Sequence, residues 1–256
     1  MIADIEEGSL AKAVAALQAQ GLQVEGVQTD VTARASVRAA ADKTVEAFGK
    51  VHLVANNAGV GSGGRLDEIP ERDWDWVFDV NVKGVVYGVE TFTPLIRSHG
   101  EGGHFVNTAS IAGLLSSAGL APYSGSKAAV VSLSEAWATL LASKNIGVSI
   151  LCPGIVATRF SESRRNRQAQ YGGEHELSGL ERPEMSVGFE GGIAPAAVAG
   201  RVVEAVKAGE LYVFTHLEYR DLLKARFDRI LAAFDQAADS PTLRALPARE
   251  APAWRR

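Results

Sequence analysis

The sequence predicts an α/β protein built on a doubly wound parallel sheet with helices on both faces. Helix-like and strand-like segments alternate along most of the chain, which is the pattern of consecutive βαβ units. Residues 51–55 form a nearly uniform apolar run of the kind that is buried on both faces of a sheet, and residues 148–151 form a strand that Pro153-Gly154 stops. A chain of 256 residues fits one such domain, which we place at 1–236, followed by a loose tail at 237–256.

The elements follow from helix propensity, capping residues and breakers. Ser9 is expected to cap the first helix and Gly21 to end it. Pro70 precedes a long helical stretch in which we expect a kink at Pro94. The predicted strands are 2–5, 22–29, 51–55, 105–108, 148–151 and 211–214, and the predicted helices are 9–20, 36–48, 71–98, 122–143, 195–208 and 218–234.

The composition argues against several classes of function. Hydrophobic residues make up 46% of the chain and charged residues 22%, as in ordinary globular proteins. The net charge of -4 gives no electrostatic reason to expect nucleic acid or an anionic membrane as partner, so we expect a small molecule. Because Cys152 is the single cysteine and no signal peptide or membrane-length apolar run is evident, we expect a cytoplasmic protein.

Polar residues cluster where predicted strands end. In an open parallel sheet the ligand lies outside the carboxyl ends of the strands, and Asn57, Ser110 and Pro153 all fall at or just past such ends. The polar, glycine-rich stretch 159–192 suits a lid beside that site. For the arginines of its basic run, 164–167, we prefer a solvated surface.

Tyr123 and Lys127 carry the clearest chemical signal. They lie four residues apart in a predicted helix, so their side chains share one face and are within reach of each other. A neighbouring ammonium favours phenolate over phenol, so we expect it to lower the tyrosine pKa toward working pH. A general acid or base that acts on an alcohol requires such a shift.

Two further polar residues can join this pair. The hydroxyl of Ser110 can face the strand-end crevice and donate to a substrate oxygen as negative charge develops, with a turn-capping serine as the alternative. Asn81 lies inside the long helix, where asparagine has poor propensity. We expect it either on the exposed face or holding a water on a proton path that includes Lys127.

The order of these motifs resembles that of the short-chain dehydrogenase/reductase family. The resemblance spans Asp4 to about Phe234. It implies a Rossmann-like fold and an oxidoreductase that transfers a hydride between NAD(H) and a secondary alcohol or ketone. The motifs are Asn57-Ala58-Gly59, Asn81, Ser110, Tyr123, Lys127 and Pro153-Gly154.

The resemblance also implies a role for each site residue. Tyr123 is the acid/base, Lys127 lowers its pKa and binds the nicotinamide ribose, Ser110 donates to the substrate oxygen, and Asn81 is a relay. The 57–59 turn lines the adenosine side, Asp30-Val31 brackets the adenine, and the backbone after Pro153-Gly154 holds the nicotinamide carboxamide. The implied cofactor-binding residues are Asp4, Asp30, Val31, Asn57, Ala58, Gly59, Tyr123, Lys127, Pro153, Gly154, Val156 and Thr158.

Within this family resemblance, Asp4 is the residue that distinguishes NAD from NADP. It ends the family's second strand, where a carboxylate accepts hydrogen bonds from the adenosine ribose and repels a 2′-phosphate. We therefore expect NAD to be preferred over NADP.

The family's glycine-rich phosphate loop and its first strand are not found ahead of Asp4. Two explanations are open: Met1 is an internal methionine with roughly 30 residues of a βα unit upstream, or the polypeptide is naturally truncated. Marginal stability favours the first, because a missing central strand leaves unpaired edges in the sheet.

Other functions stay open beside the dehydrogenase. A non-catalytic binding or regulatory protein of the same fold is the main alternative, since the phosphate loop is absent. Lyase or epimerase chemistry is a second, since a fold alone does not fix the reaction. Leu114, Leu115, Leu120 and the lid residues 160–189 predict an apolar pocket suited to an aromatic or alicyclic alcohol.

Two further expectations concern assembly and metals. The helices 71–98 and 122–143 resemble the family's dimer interface, so we expect a homodimer or homotetramer. The histidines show no recognisable metal-ligand spacing, so no metal site is predicted and each is expected to be structural or solvated. They are His52, His99, His104, His175 and His216.

Overall fold

The computed structural model of the protein describes residues 1–173 and 191–247. These residues belong to two compact units, Met1–His216 and Leu217–Arg256. The first unit contains the strands and the candidate site. A single domain over 1–236 stays a prediction.

All described strands are parallel, and they form two sheets. β1 (Ile2–Asp4) pairs with β2 (Gly26–Gln28). The second sheet has the order β3-β4-β5-β6, so the sheet is divided between the first two strands and the rest. Its strands are β3 (Leu53–Asn56), β4 (Gly103–Thr108), β5 (Ile146–Cys152) and β6 (Tyr212–Phe214).

Helices cover both faces of the four-stranded sheet. The described α-helices of the first unit are α1 (Glu7–Gln18), α2 (Arg34–Phe48), α3 (Glu71–Phe78), α4 (Gly84–His99), α5 (Ala121–Ala142) and α6 (Pro195–Ala208). On one face Phe105 and Ile150 pack with Val130 of α5 and Ile96 of α4. On the other face Val106, Leu151 and Val213 pack with Ala205 of α6. The predicted α/β class with a parallel sheet between helices is confirmed.

A buried polar network ties two strands to α5. Asn56 Nδ2 donates to Asn107 Oδ1 over 2.8 Å, and Asn107 Nδ2 donates to Ser134 Oγ over 2.9 Å. The polar groups of this network are bonded within the core, which offsets much of the cost of burying them. A Cβ on Gly88 would lie 2.0 Å from Asn56 Oδ1, so glycine lets α4 approach β3.

Two local predictions are wrong. Leu53 in β3 is 54% exposed, because β3 is an edge strand of the four-stranded sheet and not a strand covered on both faces. Helix α1 begins at Glu7 with Glu6 at its N-cap, so Ser9 lies in the first turn. There the Ser9 hydroxyl donates to Glu6 Oε2 over 2.6 Å.

The long helical stretch is interrupted by a π-turn at Asp79–Lys83, between α3 and α4. Pro94 lies within α4, which continues past it to His99, and the expected kink at Pro94 stays a prediction. The wider turn contains Asn81, whose side chain is bound to the backbone of Val60. A π-turn often marks a functional position in a helix.

The second unit is helical where it is described. It contains a short turn at Leu217–Tyr219, α7 (Arg220–Ala238) and α8 (Pro241–Arg244). The predicted helix 218–234 is therefore confirmed with a later end, and the predicted loose tail contains α8 before the undescribed residues 248–256. Among the described helices, none combines the length and the apolar character needed to cross a bilayer.

Candidate active site

The turn after β4 and the loop after β5 meet at Ser110. Its Oγ accepts from Ala112 N over 3.1 Å and lies 3.4 Å from the carbonyl oxygen of Pro153. Ile111 N donates to the same carbonyl over 2.9 Å. Ser110 therefore caps a turn, as the alternative interpretation has it, and its hydroxyl is also near enough to that of Tyr123 to act on the tyrosine pKa.

Lys127 lies beneath Tyr123 at the start of α5. The lysine is 2% exposed, and its Nζ donates to the carbonyl oxygen of Thr108 over 2.8 Å. Nζ is 5.8 Å from the centre of the Tyr123 ring. Burial lowers the pKa of Lys127 to about 8.

Burial raises the pKa of Tyr123 above its ordinary value, and the hydrogen bond with Ser110 opposes that rise. The expected lowering of the Tyr123 pKa by Lys127 is therefore wrong for this structure. Removing the phenolate from water has the larger effect, because a charge buried in a low dielectric loses its hydration.

Asn81 holds the segment that follows β3. Its Oδ1 accepts from Val60 N over 2.8 Å, and its Nδ2 donates to Val60 O over 2.9 Å. Nδ2 also donates to Ser126 Oγ over 3.0 Å. Asn81 is fully buried, so the exposed alternative is wrong, whereas the relay role stays a prediction.

Gly59 forms the closest approach in the site. A Cβ at Gly59 would lie 3.2 Å from Lys127 Nζ and 3.4 Å from Asn81 Oδ1, so a side chain there would crowd both groups. The two residues before it, Asn57 and Ala58, are exposed. Thr108 Oγ1 donates to Asn57 Oδ1 over 3.2 Å, which joins the ends of β3 and β4.

The loop after β5 continues along the same edge of the sheet. Val156 forms an isolated parallel bridge with Ile193. The exposed Thr158 caps the turn 159–166, where its Oγ1 accepts from Phe160 N over 3.3 Å. Val156 and Thr158 therefore belong, with Pro153 and Gly154, to the loop that contacts Ser110.

On the predicted adenosine side, Asp30 and Val31 contact other residues of the protein. Asp30 Oδ1 accepts from the Thr32 backbone and hydroxyl over 2.9 and 2.7 Å, and from Gln168 Nε2 over 3.0 Å. Val31 packs on the cluster that contains the buried Tyr171. Asp4 is exposed at the end of β1, and its Oδ1 accepts from Glu6 N over 2.8 Å.

Arg167 anchors the segment 159–171 to helix α3. Its side chain is 2% exposed, and Nη2 lies 2.7 Å from Asp73 Oδ1. Ser62 Oγ donates to Asp73 Oδ2 over 2.5 Å, and the guanidinium lies 5.0 Å from the Trp76 ring centre. The expected solvated surface is therefore wrong for Arg167, because α3 supplies a buried carboxylate.

Two other arginines of this segment are bound near α1. Arg159 and Arg165 both form ion pairs with Glu6. A hydrogen bond from Ser9 and the two arginines hold the pKa of Glu6 at about 2. Residues 174–190 of the predicted lid, which include His175 and Phe189, lie outside the described residues.

Phe160 forms one wall beside Tyr123. The two ring centres are 5.6 Å apart. A Cβ on Gly61 would lie 3.1 Å from the Phe160 ring, so glycine lets the ring reach this position. Leu114, Leu115 and Leu120 are half-buried on the neighbouring turn.

A second group of titratable side chains lies at the opposite end of the four-stranded sheet. His52, His99 and Glu101 present ligand atoms within 4.8 Å of one another, a grouping that sequence spacing did not reveal. His99 Nε2 is bound to Val51 O and Nδ1 to Glu101 N, while Lys50 is paired with Glu101. Backbone bonds and an ammonium thus use the atoms that a metal would need, and we assign no metal there.

Some contacts of the site were not predicted. The carbonyl of Thr108 and the hydroxyl of Ser126 position Lys127 and Asn81, and His216 bonds to the loop after β5. Ser126 lies inside the motif Tyr123–Lys127, so its position was a usable signal. A backbone acceptor and a histidine 62 residues from its partner leave no local pattern.

Comparison with known proteins agrees with this geometry. The short chain dehydrogenase family model matches residues 1–169. A CLA biosynthesis dehydrogenase/reductase of Lactiplantibacillus plantarum is 33% identical over 240 residues, covering 90% of this chain and 83% of the relative. A C alpha-dehydrogenase of Sphingobium sp. is 32% identical over 237 residues, covering 90% of this chain and 76% of that relative.

A solved structure is similar over nearly the whole chain. It is a short chain dehydrogenase/reductase from Burkholderia phymatum in complex with NAD, with a TM-score of 0.85 and 37% identity, covering 97% of this chain and 88% of that one. The chain therefore belongs to the short-chain dehydrogenase/reductase family. It is an oxidoreductase of that family, and it has the Rossmann-like fold that binds nicotinamide cofactors.

Proposed function

We propose that the protein transfers a hydride between NAD(H) and a secondary alcohol or ketone, with Tyr123 as the acid/base. The observation that carries the proposal is the convergence of Ser110, Tyr123 and Lys127 at the carboxyl ends of β4 and β5. Ser110 bonds to Tyr123, and the Lys127 ammonium is buried beneath the Tyr123 ring. Such a set can move a proton at an alcohol oxygen.

In the direction of oxidation, the Tyr123 oxygen takes the hydroxyl proton while the carbinol C–H bond breaks. Bound NAD supplies the acceptor for that hydride. Ser110 donates to the substrate oxygen in either direction, and in reduction Tyr123 returns the proton. In this proposal Lys127, which is buried beneath the Tyr123 ring, binds the nicotinamide ribose.

The nicotinamide side of the site fits a dinucleotide. Among the described residues, Lys127 Nζ has one hydrogen-bond acceptor, the carbonyl oxygen of Thr108. An ammonium has three N–H donors. The remaining N–H groups suit ribose hydroxyls. Gly59 adds a surface without a side chain beside Lys127, where a dinucleotide can approach the backbone.

We extend the proposal to NAD over NADP on the basis of Asp4. Its exposed carboxylate at the end of β1 suits ribose hydroxyls and disfavours a 2′-phosphate. Glu6, two residues further on, adds a second carboxylate, although Arg159 and Arg165 are paired with it. The Burkholderia phymatum structure, which is in complex with NAD, supports a nicotinamide cofactor.

The proposed substrate is an apolar alcohol, aromatic or alicyclic. Phe160 beside Tyr123 and the half-buried Leu114 and Leu115 supply apolar contact area. The relatives carry the names dehydrogenase and reductase, which supports alcohol or carbonyl chemistry. A homodimer or homotetramer in the cytoplasm stays a prediction.

Calorimetric titration of the whole chain with NAD and with NADP tests the proposal. We expect NAD to bind more tightly than NADP. We expect Asp4→Asn to reduce the ratio of the NADP dissociation constant to the NAD dissociation constant by about tenfold. Tighter binding of NADP would contradict the assigned preference. Binding of neither dinucleotide would favour the non-catalytic alternative.

A further inference from the structure

We propose that His216 is a positioning residue that holds the loop Pro153–Ile155 against the catalytic serine. The inference rests on the proposed function, because the loop matters through its contacts with Ser110 and the nicotinamide side. Phe214, the last residue of β6, pairs with Cys152, the last residue of β5. Gly154 is the second residue after β5 and His216 is the second residue after β6, so the strand pairing brings them side by side.

The imidazole binds the loop backbone through both ring nitrogens. Gly154 N donates to His216 Nδ1 over 3.0 Å, and His216 Nε2 lies 2.9 Å from Ile155 O. A backbone N–H is only a donor and a carbonyl only an acceptor, so the ring must be the neutral form with its proton on Nε2. The Thr215 hydroxyl oxygen also lies 2.8 Å from Nδ1.

The opposite side of the same loop is bound by the catalytic turn. Pro153 O accepts from Ile111 N over 2.9 Å and lies 3.4 Å from Ser110 Oγ. His216 and Ser110 thus bind adjacent residues of the loop from its two sides. A shift of the loop would move the acceptor of Ser110 and the backbone predicted to face the nicotinamide.

Three substitutions separate the two hydrogen bonds. His216→Asn keeps an acceptor near the Nδ1 position, His216→Gln keeps a donor near the Nε2 position, and His216→Ala keeps neither. His104→Gln is the matched control, because His104 is also partly buried and bonds through Nε2 to Ser149 Oγ over 2.8 Å. His104 is the second residue of β4, at the end of the strand away from Ser110.

The first readout is the exchange rate of the Gly154 amide proton, measured by NMR on the whole chain without cofactor. We expect about three- to tenfold faster exchange in His216→Ala and His216→Gln, from the loss of one hydrogen bond, and little change in His216→Asn. His104→Gln should leave this proton unchanged. Equal exchange in all variants would overturn the proposal.

The second readout is the split between KM for NAD and kcat with a secondary alcohol. We expect His216→Ala to lower kcat/KM about tenfold, with the larger change in KM, and His216→Asn to recover part of it. An equal loss in His104→Gln would show general destabilisation and overturn the positioning role. If the amide result holds but the unchanged protein oxidises no alcohol, the loop contact stands and the proposed function fails.

Discussion

The two ends of the proposed cofactor cleft are built differently. At the nicotinamide end, Ser110, Tyr123 and Lys127 come from one turn and one helix and are fixed by short backbone contacts. At the adenosine end, Asp30 and Val31 are contacted by Gln168 and Tyr171, which lie well over 100 residues further along the chain. The first end depends on local spacing, and the second depends on where the segment 159–171 packs.

This difference has a functional consequence. The backbone hydrogen bonds of Ser110 and Lys127 lie outside the segment 159–171, whereas Phe160 of that segment packs beside Tyr123. The adenosine end presents the Asp30 carboxylate to Gln168, so a dinucleotide that uses this carboxylate competes with a protein hydrogen bond. Substitutions at the two ends should therefore change different kinetic constants.

The largest expected effect is the loss of the Tyr123 hydroxyl. Tyr123→Phe should lower kcat about 10²- to 10⁴-fold, because the acid/base is removed while the ring that packs on Phe160 remains. Steady-state oxidation of a secondary alcohol with NAD measures the change. Ordinary turnover in this variant would remove Tyr123 from the mechanism.

The anchor of the segment 159–171 should dominate stability. Asp73→Ala leaves the buried Arg167 without its carboxylate and should lower the free energy of unfolding by about 3–5 kcal/mol. Urea unfolding measures it. Glu90→Ala is the matched control, because it removes the exposed pair with Arg34 and should cost about 0–1 kcal/mol. Equal losses in the two variants would show that the Arg167 pair is not the anchor.

The pH dependence should differ between the two reaction directions. Burial raises the pKa of Tyr123, and oxidation needs the phenolate, so kcat/KM for oxidation should rise with pH by up to about tenfold per unit from pH 7 to about 8, below the range in which Lys127 loses its proton. Reduction needs the phenol, which persists over this range. The kcat/KM for reduction should fall above about pH 8 as Lys127 loses its proton. An oxidation profile that is flat over this range would contradict the raised pKa.

The smallest expected effect concerns the adenosine end. Gln168→Ala frees the Asp30 carboxylate and should tighten NAD binding by about three- to tenfold, with kcat unchanged. Weaker binding in this variant would instead place the Gln168 amide among the groups that hold the dinucleotide. Calorimetry distinguishes the two outcomes.

The same contrast explains how much could be predicted from the sequence. Tyr123 and Lys127 were predictable because four residues of helix place two side chains on one face. The strand ends at Asn57, Ser110 and Pro153 were predictable because apolar runs stop there. The π-turn at Asp79–Lys83 was not, because it depends on the contact of Asn81 with Val60, a residue in another element.

Burial of charged and apolar groups was the harder part. Arg167 reads as a surface residue within its basic run, and only Asp73 on α3 makes its burial favourable. Leu53 reads as a core residue, and only its place in an edge strand leaves it exposed. In both cases the deciding partner lies far away in sequence, where a periodic pattern carries no information.

Isotope transfer shows whether this protein moves a hydride from an alcohol to NAD. The protein is incubated with NAD and a secondary alcohol that carries deuterium on its carbinol carbon, and the reduced dinucleotide is analysed by mass spectrometry. We expect one deuterium to appear in the reduced dinucleotide, and Tyr123→Phe to nearly abolish the formation of that product. Bound NAD that never acquires deuterium from any of a set of aromatic and alicyclic alcohols would contradict it.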